Sequence, residues 1–110
     1  MNNHFTPVSD STELESLFML SHERPIVLFK HSLTCPVSSA AYQEMSGFEG
    51  DVSLIVVQNA RAVSREVETL TGIRHESPQA IILRNGRAVW NVSHWRIKRS
   101  VVEEAVRANV

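Results

Sequence analysis

The sequence predicts an α/β fold, a three-layer α/β/α sandwich built on a four-stranded mixed sheet. Three observations predict it. Two apolar runs, Ile26-Val27-Leu28-Phe29 and Val52 to Val57, read as strands buried on both faces, as in a central sheet position. Segments of helical period alternate with them. Asn85-Gly86, set between two further strand-like runs, is a strong hairpin signal.

Each element follows from local chemistry. Asp10 is a candidate N-cap with Glu13 three residues on, as in a capping box, and Leu14, Leu17 and Phe18 keep helical spacing, so a first helix is expected over Ser11 to Ser21. Pro25 opens the first strand, and the chain then turns through His31-Ser32-Leu33-Thr34 to Cys35-Pro36. Val37, Ala40, Ala41 and Met45 mark a second helix from Pro36, with Gly47 and Gly50 flanking its end. After the second strand, Ala60 to Thr71 forms a helix with Val63, Val67 and Leu70 on one face and Gly72 as its stop. A polar stretch, Arg74 to Pro78, leads to a third strand, Gln79 to Leu83. Asn85-Gly86 then joins it to an antiparallel fourth, Arg87 to Val92. Ser93 is a candidate N-cap for a last helix carrying Ile97, Val101 and Ala105. The expected order is α-β-α-β-α-β-β-α, with a parallel pair in the first β-α-β unit.

Composition bounds the function. One domain over 1–110 is expected from 110 residues. Contents of 43% apolar and 21% charged residues exclude a disordered tail, a collagen-like repeat and a coiled coil. Such a chain buries roughly two-thirds of its unfolded surface and needs no disulfide or metal staple. Eleven basic against twelve acidic residues leave a net charge of -1, so no basic field recruits nucleic acid or an anionic membrane. No apolar run nears the roughly 18 residues of a transmembrane helix. The opening MNNHFTPVSDSTELE lacks the basic start and apolar centre of a signal peptide. A cytoplasmic monomer is expected. The histidines, His4, His22, His31, His75 and His94, are scattered without an i, i+4 pair, so no metal site is expected.

The chain has one cysteine, Cys35, which excludes an internal disulfide. A lone cysteine is ordinarily a small buried hydrophobe. This one sits where a buried strand turns into a helix, and the free N–H groups of a helix start favour an anion such as a thiolate. Lys30 and His31, just upstream, are expected to add positive charge. Pro36 fits the first turn, where its missing N–H costs nothing. A thiol of lowered pKa is more thiolate at neutral pH, and the thiolate is the nucleophile of disulfide exchange. One helical turn brings Ser38 close to Cys35 in a C-x-x-S arrangement. Serine cannot resolve a mixed disulfide, so the expected chemistry is monothiol, with Ser38 as a donor to the thiolate. Ser77-Pro78, directly before a strand, reads either as an ordinary strand-opening proline or as a cis bond.

This combination resembles the thioredoxin fold, with a cysteine at the first strand-to-helix junction, a proline before the third strand and a terminal hairpin and helix. The closer resemblance is to the monothiol bacilliredoxins. It rests on Phe29 to Ser38 (FKHSLTCPVS), His75-Glu76-Ser77-Pro78-Gln79 and Ser93-His94-Trp95. The resemblance implies that Cys35 is the attacking cysteine and Pro78 a cis-proline, with Thr34, Pro36, Ser38 and Ser77 stabilising the thiolate or binding substrate. It implies removal of bacillithiol from S-bacillithiolated client proteins, with bacillithiol as a low-molecular-weight co-substrate and no bound cofactor. The chain lacks W-C-G-P-C and the C-G-F-S of cluster-assembly glutaredoxins, and no acidic residue occupies the first strand, where thioredoxins keep a buried proton acceptor; the corresponding region is Leu28-Phe29-Lys30. Arg96, Lys98 and Arg99 form a basic cluster suited to an acidic thiol, since bacillithiol carries a malate moiety. A non-catalytic thioredoxin-like binding module, or a redox sensor at Cys35, is the alternative from a different class.

Overall fold

The computed structural model describes residues 4–110, so the first three positions of the N-terminal stretch lie outside it. The elements are β1 (Phe5–Pro7), α1 (Ser11–Leu20), β2 (Ile26–His31), α2 (Pro36–Ser46), β3 (Val52–Val56), α3 (Arg61–Thr71), β4 (Gln79–Arg84), β5 (Arg87–Ser93), a 3₁₀ turn (His94–Arg96) and α4 (Arg99–Arg107). The sheet has five strands in the order β1-β3-β2-β4-β5, not the expected four. The additional strand is β1, which runs parallel to β3 with Phe5 opposite Val52. β2 and β3 are parallel, and β2–β4 and β4–β5 are antiparallel.

Strand alternation splits the core into two layers. Val27 and Phe29 of β2, Leu54 of β3 and Ile82 of β4 pack against Ala41 and Met45 of α2 and Val102 and Ala105 of α4. Leu28, Ile55 and Ile81 pack on the other face with Leu14 of α1 and Val63 and Val67 of α3. β2 is buried along its whole length, as its apolar run requires of a central strand.

The expected caps form. Asp10 accepts from the Glu13 N–H at 2.8 Å while the Glu13 carboxylate accepts from the Ser9 N–H at 2.7 Å. Asn85 and Gly86 both take positive φ, 59° and 79°, the geometry a two-residue hairpin needs. The last helix departs from expectation. Ser93 caps the 3₁₀ turn without a side-chain hydrogen bond, and α4 starts at Arg99 behind Lys98. His94, at φ 57°, turns the chain before the helix can begin. Val102 and Ala105 face the core, whereas Val101 is exposed.

Candidate active site

Cys35 is the N-cap residue of α2, and Pro36 occupies its first turn. The thiol is partly exposed and makes no capping hydrogen bond. The turn that delivers it from β2 is held by side chains. Ser32 donates its N–H to Ser38 Oγ at 3.2 Å. Gln58, from the segment after β3, donates Nε2–H to Ser32 Oγ at 2.9 Å and accepts the Leu33 N–H at 3.1 Å. Thr34 is exposed, with its N–H 3.4 Å from Ser32 Oγ. Ser38 is fully buried, so its oxygen also shapes the turn one helical step from the sulfur.

Ser32 and Gln58 have no place among the residues expected from sequence. Gln58 lies 23 positions beyond Cys35 in the chain, and no local pattern links them. Removing two hydrogen bonds worth about 1 kcal/mol each loosens the turn. The expected result for Gln58→Ala is therefore a roughly three- to thirty-fold slower reaction of Cys35 with a mixed disulfide. Stopped-flow kinetics measures it, and an unchanged rate counts against a role for Gln58.

The second half of the site comes from register. Lys30 of β2 pairs with Gln79 of β4, so Ser77 and Pro78 lie at the same sheet end as the Cys35 turn. The Ser77–Pro78 bond is cis. The Pro78 carbonyl accepts the His94 N–H at 3.0 Å, which sets the 3₁₀ turn against this loop. Ser77 Oγ is buried without a hydrogen-bond partner among the described residues.

The structure sends Lys30 and His31 to opposite faces of the sheet. The His31 ring packs on Tyr42 of α2, with centroids 4.8 Å apart. Burial pushes its pKa below the ordinary histidine value, the Ser38 backbone only partly opposing this, so the ring carries little charge at neutral pH. Lys30 is fully buried on the α1/α3 face. Its ammonium donates to the Ser64 carbonyl at 2.9 Å and lies 3.1 Å from His75 Nδ1. Burial lowers its pKa to about 8, with Glu68 pulling the other way. The charge expected beside the sulfur is thus engaged elsewhere. Among the described residues no cluster of His, Cys, Asp and Glu could hold a metal ion, and no helix is long and apolar enough to cross a membrane.

Comparison with known proteins places this architecture. A solved protein described as a candidate oxidoreductase with a thioredoxin fold is 32% identical, with a TM-score of 0.83 and 93% of each chain covered. The thioredoxin of Fasciola hepatica is 13% identical with a TM-score of 0.74, covering 94% of this chain and 98% of that one. A mutant thioredoxin from Halobacterium salinarum is 14% identical with a TM-score of 0.71, covering 96% of this chain and 90% of that one. These last two share the fold alone. The family model described as monothiol bacilliredoxin BrxC matches residues 6–102. That match runs from β1 into α4 and takes in every segment that builds the site, so the chain belongs to the monothiol bacilliredoxin family.

Proposed function

We propose that this chain removes bacillithiol from S-bacillithiolated proteins through a mixed disulfide on Cys35. Family and fold support a thiol oxidoreductase role. The observation that carries the finer reading is the lone, partly exposed Cys35 at the start of α2, with a serine one turn on whose oxygen is taken up by the Ser32 N–H. The Cys35 thiolate attacks the bacillithiol sulfur of the client–S–S–bacillithiol bond. That bond breaks, the client leaves as a thiolate and takes a proton from water, and Cys35 carries the bacillithiol. With no second cysteine in the chain, an external thiol must resolve the adduct. A free bacillithiol thiolate attacks it, giving bacillithiol disulfide and restoring Cys35. A separate reductant then returns the disulfide to two thiols.

Intact-mass spectrometry tests this. Reduced protein is mixed with a bacillithiolated client and, in parallel, with a glutathionylated one. Bacillithiol on Cys35 with little glutathione supports the proposal. Equal transfer removes the thiol assignment, and no adduct from either favours a binding module.

A cavity of about 400 Å³ beside the Pro78 loop is lined by Glu76, Ser93, His94, Trp95 and Arg96 among others. The malate carboxylates of bacillithiol suit the Arg96 guanidinium there. Arg96→Glu is expected to raise KM for a bacillithiol mixed disulfide about three- to ten-fold, the scale of reversing an exposed ion pair. A mixed disulfide of uncharged mercaptoethanol provides the control. Equal effects on both substrates rule out recognition of the carboxylates.

A further inference from the structure

A fully buried lysine on a central strand is costly, because its charge leaves water without a carboxylate in direct contact. The exchange reaction makes no use of this group. Its contacts suggest a use. The loop before Pro78 is tied from three sides. His75 Nδ1 lies 3.1 Å from Lys30 Nζ and 3.2 Å from Ser64 Oγ of α3. The His75 N–H donates to Glu68 Oε2 at 3.0 Å, and the Arg74 carbonyl accepts Gln79 Nε2–H at 3.0 Å.

We propose that charged Lys30 is a positioning residue, holding His75 as its Nε2–H tautomer and so fixing the Arg74–Ser77 segment that leads into the cis Ser77–Pro78 bond at the Cys35 end of the sheet. The inference rests on the exchange reading above. An ammonium has three donors and no acceptor, so the nitrogen facing it must offer its lone pair. The His75 proton then resides on Nε2. Nδ1 has a single lone pair, and the charge-assisted bond from Lys30 prevails over the Ser64 hydroxyl. Without the ammonium, Nδ1 is free to carry the proton and donate it to Ser64 Oγ. The two tautomers hold the ring by different partners and give the loop two settings.

The surrounding charges are consistent with a cationic Lys30 and a neutral His75. Glu68 of α3 favours the charged form of both groups, and Glu76 favours that of His75. Burial and the Lys30 charge oppose protonation of the ring and hold it below the ordinary histidine value. Arg61 and Arg65 stand at the cavity that His75, Ser64 and Glu68 line. Lys30, at about 8, keeps its proton at neutral pH and releases it in mild alkali.

The test combines nitrogen NMR of the His75 ring with kinetics of Lys30→Met, His75→Asn and His75→Leu. At pH 7 the wild type is expected to carry the proton on Nε2, moving toward the other tautomer as pH rises through about 8. Lys30→Met shows the second tautomer at pH 7. Its KM for a mixed disulfide rises about five- to twenty-fold, the scale of losing a charged hydrogen bond, with kcat within about two-fold. Its melting temperature is equal or higher, because the buried charge is gone and Ser64 Oγ still partners Nδ1. Asparagine places an oxygen close to the position of Nδ1, so His75→Asn recovers most of the KM that His75→Leu loses. The NMR readout needs no substrate and tests the Lys30–His75 link even if the thiol assignment fails. A wild-type proton on Nδ1, an unchanged KM in Lys30→Met, or His75→Asn as impaired as His75→Leu overturns the proposal.

Discussion

Replacing Cys35 with serine is expected to abolish exchange, with the transfer rate falling by at least about a thousand-fold, or about 4 kcal/mol of barrier. Thiolate is the attacking species and a serine hydroxyl is not ionised at neutral pH, so the step loses its nucleophile. The fold is expected to gain rather than suffer. Cys35 occupies the N-cap of α2 without a capping bond, and serine is among the preferred residues there. The variant therefore separates chemistry from stability: no adduct by intact mass, with a melting temperature equal to or above that of the wild type. Transfer persisting in Cys35→Ser would refute the monothiol mechanism.

Phe29→Ala is expected to destabilise the protein by about 3–5 kcal/mol, the range for deleting a buried phenyl group. Phe29 is fully buried at the centre of β2, and Ala80 of β4 and Leu54 of β3 lie opposite it in register. Total stabilities of roughly 5–15 kcal/mol leave such a variant near its threshold. The phenyl ring also lies 5.9 Å from the His31 ring and 6.5 Å from Tyr42, so the damage reaches the root of the Cys35 turn. Urea denaturation measures the loss, and a change under about 1 kcal/mol would mean that the neighbouring side chains close the void.

Much of the fold is legible in the sequence, and the misses have definite causes. The apolar runs on β2 and β3, the Asp10 cap, the Gly72 stop at φ 73° and the Asn85-Gly86 hairpin are local signals, and each forms as expected. β1 carries no such signal. Phe5-Thr6-Pro7 is too short for periodicity, and its proline reads against a strand; an edge position tolerates it because a ladder bond is needed on one side only. The start of α4 lies later than expected because Ser93 looks like a cap, whereas the left-handed turn at His94 delays the helix. Cys35 and Pro78 can be singled out by their order along the chain. The surroundings of Lys30 cannot. Sequence distance sets it beside the cysteine, but strand parity turns it to the other face, where it meets Ser64 and His75. Ser32 and Gln58 escape for a related reason, since their contact joins segments 26 positions apart.

The two rims of the sheet bear on self-association. β1 is three residues long and ends on Pro7, which has no N–H to give. β5, at the opposite rim, slips register against β4 between Ile82 and Leu83 and opens on the exposed, charged Arg87. Short strands, prolines, irregular pairing and edge charges are the devices that keep sheets from adding foreign strands. Neighbouring copies thus meet two blunted borders rather than a template for cross-β growth.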